Sequence, residues 1–192
     1  MKKLVLVFLL VVSFAYSSDV KGLEDKCEKG ESIVPCDLAA EAYFYGEGAE
    51  KDYSKALKFF KKACDGGLYN ACFNLGAMHE EGYGVKSDVK TAMKFYELSC
   101  EGEFGEACEA LAQIYEKEKD GQKTIFYRDK GCKFGAWISC EFMAKFYEEK
   151  DKQASAEYYQ KACEYGKELA RGQILPVGVM KIKAACDKAE EF

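Results

Sequence analysis

Apolar residues recur along this chain at three- and four-residue steps, the spacing of one helix face rather than the alternation of a strand. Four segments share one internal pattern: Ala39, Ala40, Ala42 and Tyr43; Leu75, Gly76, Met78 and His79; Leu111, Ala112, Ile114 and Tyr115; Met143, Ala144, Phe146 and Tyr147. A small residue holds one fixed place in each, where a neighbouring helix can approach closely. A second kind of segment follows, a small residue succeeded by two aromatics: Ala56 with Phe59 and Phe60, Ala92 with Phe95 and Tyr96, Ser155 with Tyr158 and Tyr159. These aromatics are expected to pack rather than to form a binding platform. Between the two kinds lie Gly46 and Gly48, then Gly82, Gly84 and Val85, where glycine permits backbone angles closed to other residues. Asp52 and Asp88 come next, suited to cap the following helix by accepting from its free amides. Later segments lack these glycines, so their turns, near Asp120–Gly121 and Asp151, should be tighter.

Cysteine spacing sets the period. The ten cysteines are Cys27, Cys36, Cys64, Cys72, Cys100, Cys108, Cys132, Cys140, Cys163 and Cys186. Gaps within successive pairs are nine, eight, eight and eight, then twenty-three; from Cys36 the equivalent cysteine returns after 36, 36 and 32 residues. A near-constant period of this size predicts a solenoid of small helical units, none able to bury its own apolar face alone. In one continuous helix, residues eight apart lie about 12 Å apart along the axis. A disulfide wants Cα atoms roughly 4.4–6.8 Å apart. Cys64 and Cys72 therefore bridge only if the chain reverses between them, at Gly66 and Gly67. Closing that nine-residue loop is worth about 2.6 kcal/mol in the chain-entropy model. Cys163 has Arg171 eight residues on, so by elimination it pairs with Cys186. That cysteine belongs to an amphipathic closing helix marked by Val179, Ile182, Ala185 and Ala189, beyond a break at Pro176 and Gly178. Zinc fails on spacing, since C-x2-C pairs are missing, and on histidine, since His79 is alone. A thioredoxin-like redox site fails for the same want of C-x-x-C. No metal and no cofactor is expected.

The chain begins with Lys2 and Lys3, an apolar run from Leu4 to Val12, then Ala15 and Ser17. That is the pattern of a secretory signal peptide spanning residues 1–17, cleaved after Ser17. The run falls short of the ~20 residues a membrane span needs. An exported chain with an even number of cysteines predicts intrachain disulfides and a secreted or periplasmic location. Without the two leader lysines, 26 bases face 33 acids, a formal net charge of −7. Nucleic-acid binders are usually basic, so that partner is excluded.

These residues resemble Sel1-like repeats, relatives of the tetratricopeptide repeats. Ala71 to His79, the turn Gly82-Tyr83-Gly84-Val85 and Asp88 follow the family pattern in one unit; Lys55, Ala56, Phe59, Phe60 and Ala63 follow it in the unit before. A leader plus C-x7-C in successive repeats narrows the resemblance to the secreted cysteine-rich Sel1 proteins of Helicobacter and Campylobacter type. The resemblance implies an all-α, right-handed α/α superhelix with one disulfide per repeat. The organisation expected is a half-repeat cap at 18–35, repeats at 36–71 and 72–107, degenerate repeats at 108–139 and 140–170, and a closing segment at 171–192. It also implies penicillin binding, slow β-lactam hydrolysis in some members, and contact with host or cell-wall components.

The residues themselves show no catalytic constellation. Ser87-Asp88-Val89-Lys90 fits the S-x-x-K of serine penicillin-recognising enzymes. Yet it falls on the turn-and-cap position, and Lys90-Thr91-Ala92 ends in alanine where K-T-G is needed. Ser18-Asp19-Val20-Lys21 fits the bare pattern equally well. His79 is a natural general base but occupies the place of Tyr43, Tyr115 and Tyr147. A binding groove suits the repeat better: stacked first helices present one side chain per unit to a concave face. Asn70 and Asn74, flanking Cys72, are the candidates to hydrogen-bond an extended peptide or a peptidoglycan stem. The expectation is a monomeric, exported, disulfide-stapled scaffold binding a peptide, protein or cell-wall fragment. The alternative is a weak β-lactam-binding hydrolase.

Overall fold

The structure, a computed structural model, describes residues 20–30, 32–172 and 176–191, without the side chains of 170–181. The expected leader and Ser18 lie outside the described residues. Every described element is a helix: α1 (residues 20–29), α2 (Val34–Tyr45), α3 (Tyr53–Asp65), α4 (Tyr69–Glu81), α5 (Val89–Glu101), α6 (Gly105–Lys117), α7 (Gly121–Lys133), α8 (Trp137–Tyr147), α9 (Lys152–Gly172) and α10 (Pro176–Glu190). None of them, among the described residues, is long and apolar enough to cross a membrane. The fold is all-α, an array of helical hairpins. The chain divides within α5 into two compact units, one up to Phe95 and one from Tyr96.

The hairpins have two kinds of link, closed by different chemistry. From first helix to second helix, an aspartate caps the start of the second. Asp52 accepts from the Lys55 amide at 3.0 Å and Asp120 from the Lys123 amide at 3.1 Å. Asp88 accepts from the Lys90 and Thr91 amides, and Asp151 from the Ala154 amide. From second helix to the next first helix, the residues preceding the helix are Ile33, Leu68, Phe104 and Ala136, which supply no side-chain cap. A disulfide sits in the first turn instead: Cys27–Cys36, Cys64–Cys72, Cys100–Cys108 and Cys132–Cys140. Cys163–Cys186 joins α9 to α10. Cα separations across the five bonds run from 4.5 to 4.9 Å. At the α3–α4 corner the left-handed residue is Gly67, at φ +91°, while Gly66 keeps φ −79°.

In the N-terminal unit the fixed small residues Ala39, Ala40, Ala56, Ala63 and Ala71 are completely buried. They let Phe59, Phe60 and Leu75 fill the space between helices, each burial worth about 1.5–3 kcal/mol. The α4–α5 turn lies on the preceding hairpin, with the Tyr83 ring 5.0 Å from Tyr53 and 5.5 Å from Phe44. Gly84 makes this possible: a Cβ there would lie 2.9 Å from the Tyr53 backbone, at a φ of +71°.

In the C-terminal unit the first-to-second links shorten, with α7 starting at Gly121 only four residues after α6 ends at Lys117. Ser155 is buried and donates to the Ala144 carbonyl at 2.9 Å, tying α9 to α8. The closing helix expected beyond a break at Pro176 and Gly178 starts at Pro176 itself, after α9 ends at Gly172, and holds Gly178 inside it; a proline at a helix start loses only an amide with no intrahelical partner. Ile182 and Ala185 are buried, Ile182 against Gly166, where a Cβ would come within 2.7 Å. The Val179 side chain lies outside those described.

Candidate ligand-binding site

Asn70 and Asn74 occupy successive turns of α4, both half-buried. Asn70, in the first turn, reaches α2. Asn70 Nδ2 donates to Asp37 Oδ2 at 2.8 Å, joining two first helices. Asp37 is buried, and its Oδ1 has no hydrogen-bond partner. Burial pushes the Asp37 carboxyl above its ordinary value, against the opposing pull of the Asn70 hydrogen bond. Glu41, one turn along α2, is raised by burial and then by the charges of Asp37 and Glu47. The α2–α4 contact thus places two carboxyls raised by burial beside an amide already bonded to one of them. Asp37 Oδ1 is closed to solvent, so a ligand N–H reaches it only if a side chain moves aside.

Asp37 stands directly after the second cysteine of its pair. The sequence reading passed over it; the signal was a polar residue where the next repeat has Phe73. Two repeats on, the position is Glu109, and its surroundings differ. Glu109 is buried and bonded to Arg128, to Ser139 and, at 2.9 Å, to Gln113. Arg128 also reaches Glu116 at 3.0 Å, and its guanidinium lies 4.6 Å from the Phe142 ring centroid. Gly131 admits this arrangement, since a Cβ there would lie 2.6 Å from the Ser139 hydroxyl.

The aromatics form one stacked pair per hairpin. Tyr43 stacks on Phe59 at 6.1 Å, His79 on Phe95 at 5.4 Å, Tyr115 on Tyr127 at 5.4 Å and Tyr147 on Tyr158 at 5.7 Å. His79 therefore takes a structural tyrosine's place. Lys55 and Lys123 extend two of the stacks, 4.4 Å over Tyr43 and 4.5 Å over Tyr115. The Tyr43 hydroxyl donates to Glu24 at 2.7 Å and accepts from Lys55 at 3.0 Å, binding α1 to this corner. Ser87 donates to the Glu80 carbonyl at 2.6 Å and Asp88 is spent on the α5 start, so the S-x-x-K match is a turn. Among the described residues, no three His, Cys, Asp or Glu side chains gather as a metal site requires.

A hairpin period, capped second helices and stapled corners are now in view, and sequence comparison gives them a family. The Sel1 repeat model matches residues 36–68, 70–103 and 140–166. The chain belongs to the Sel1 repeat family. Residues 104–139, which hold α6, α7 and the Glu109–Arg128 pair, lie between the Sel1 matches. No curated protein matches by sequence. Among solved structures, a Sel1 repeat protein from Oxalobacter formigenes is 21% identical, with a TM-score of 0.62 over 90% of this chain and 84% of that one. A protective antigen of uropathogenic Escherichia coli with the SLR fold is 18% identical, with a TM-score of 0.66 over 92% of this chain and 41% of that one. Both likenesses establish the Sel1 fold. Helicobacter pylori cysteine rich protein B is 30% identical over 48% of this chain and 68% of that one, with a TM-score of 0.45.

Proposed function

We propose that this Sel1-repeat protein is an exported binding scaffold that takes an extended peptide segment, from a protein or a cell-wall stem peptide, on the first-helix face of its N-terminal unit. The observation that carries this reading is the Asn70–Asp37 bond beside an unpartnered, buried Asp37 oxygen. A buried acceptor without a donor costs about 1–3 kcal/mol, and a ligand N–H that reached it would recover that energy. Asn70 spends one of its two amide hydrogens on Asp37; the other hydrogen and the carbonyl oxygen are a matched pair for a peptide group. Asn74, one turn on, repeats the amide at a spacing of about 6 Å. Ten bridged cysteines support an oxidising compartment, secreted or periplasmic, and a monomer is the simplest state for intrachain staples.

The test is fluorescence anisotropy with labelled extended peptides and peptidoglycan stem peptides on the oxidised protein. The best ligand should lose at least tenfold in affinity on N70A/N74A and less on either change alone. Binding indifferent to both asparagines would overturn the reading. No observation favours the hydrolytic alternative. A chromogenic cephalosporin should be turned over no faster by the oxidised protein than by the reduced one.

A further inference from the structure

The C-terminal unit carries a shallow, open pocket of about 590 Å³. It lies where the α7–α8 corner meets α9, and its walls carry Phe134, Trp137 and Tyr165 beside Leu169. A volume of several hundred cubic ångströms walled by aromatics is the ordinary form of a small-ligand site. The charges on the rim decide what enters. Glu106, at the start of α6, and Glu168, on α9, face one lysine, Lys133. Neither glutamate forms a salt bridge with another described side chain. Lys133 lies 5.5 Å over the Phe134 ring, so that face already holds an ammonium group and the Trp137 and Tyr165 rings are the ones open to a ligand's.

We propose that this pocket binds an organic cation, an ammonium or guanidinium group carried on an apolar stem. The ring faces take the charge by cation–π attraction, worth about 0.5–2 kcal/mol per good contact depending on desolvation. Glu106 and Glu168 supply the opposite charge, and Leu169 with the indole covers the stem. The site belongs to the other unit from Asn70 and Asn74 and does not depend on the peptide reading. Its chemistry could be met by a free amine such as choline or by a lysine or arginine side chain of a bound peptide, and the two sources can be told apart.

Trp137 is the sole tryptophan in the chain, so its emission reports this pocket alone. The oxidised full-length protein is titrated with choline, with n-butylammonium and with acetyl-Ala-Lys-Ala-amide. Two controls match choline in shape, the neutral 3,3-dimethylbutan-1-ol and the anion 3,3-dimethylbutanoate. The expected result is a saturable change in Trp137 emission with the cations, at least tenfold weaker with the neutral alcohol and weaker again with the anion. E106Q/E168Q should reduce cation affinity at least fivefold while leaving the circular dichroism unchanged, because both glutamates are exposed. Tighter binding of choline than of the lysine peptide identifies a free amine as the ligand; the reverse identifies a side chain. Equal binding of cation and neutral isostere, preference for the anion, or no saturable response while acrylamide still quenches Trp137 would each overturn the proposal.

Discussion

Asp37 and Glu109 occupy the same place in the repeat, directly after a bridged cysteine, yet one is left wanting and the other is fully engaged. Asp37 has a single amide donor and an orphaned oxygen. Glu109 has a guanidinium, a hydroxyl and an amide. The short aspartate stops at α4, whereas the longer glutamate meets an arginine offered by α7. Two buried carboxylates in one fold therefore do opposite jobs. The second is a structural ion pair, although the Arg128 Nε beside it has no partner of its own. The first leaves one acceptor without a partner.

Breaking the ion pair gives the largest effect. R128A leaves Glu109 as an uncompensated buried charge and should remove about 3–5 kcal/mol of stability in urea unfolding of the oxidised protein. E109L/R128L, which removes both charges, should recover most of that loss. If the double variant were as unstable as the single, the energy would lie in packing and not in the pair.

Next in size are the staples one corner on from each carboxylate, beside the partners Asn70 and Ser139. C64A/C72A and C132A/C140A should each cost about 2–3 kcal/mol, because each opens a nine-residue loop. Equal losses in the two units would show that the corners are interchangeable and that the carboxylates alone distinguish them. A loss confined to one unit would mean that the other corner is held by its packing.

The sharpest contrast comes from one chemical change made twice. E109Q removes the charge that pairs with Arg128 and should destabilise by about 1.5–3 kcal/mol. D37N should do the reverse at neutral pH, a gain of about 1 kcal/mol, because a neutral amide is cheaper to bury than a carboxylate lacking donors. The pH dependence has a definite sign. Burial raises the Asp37 carboxyl in the folded state, so its contribution is fully present below the ordinary aspartate value and is lost as pH rises through the raised one. The advantage of D37N over the parent should vanish in acid and grow toward neutrality. A pH-independent difference would mean that Asp37 does not titrate across that range.

Much of the scaffold was legible before the structure, and the residues show why. Helical spacing and a repeated cysteine interval are local signals, and they sufficed for an all-α hairpin array. Asp52 and Asp88 could be named as caps because capping is decided within four residues of chain. The Glu109–Arg128 pair could not, because its partners lie 19 residues apart on helices whose repeat is degenerate. Asn70 was visible as a candidate, but Asp37 was not, since only a folded chain brings residues 33 apart into contact. Trp137 was passed over for a related reason: its pocket gathers α6, the α7–α8 corner and α9, and no local pattern marks that meeting. The change of helix near Pro176 was legible, but not that α10 opens on the proline and holds Gly178 inside it.

The smallest effect tests whether the two units also differ in backbone. The α3–α4 corner places Gly67 at φ +91° and the α7–α8 corner Gly135 at φ +92°, while the α5–α6 corner asks Glu103 to adopt φ +65°. A residue with a Cβ pays roughly 1 kcal/mol for that left-handed conformation, and glycine does not. E103G should therefore stabilise the C-terminal unit, but by only ~0.5 kcal/mol, because glycine also frees the unfolded chain. G67A, the mirror experiment in the N-terminal unit, should cost about 1 kcal/mol. Its Cβ would meet nothing within 4 Å, so the penalty can only be conformational. If E103G were destabilising, the Glu103 side chain would have to hold the corner through contacts that outweigh its strain, and the α5–α6 link would differ from the other two in kind.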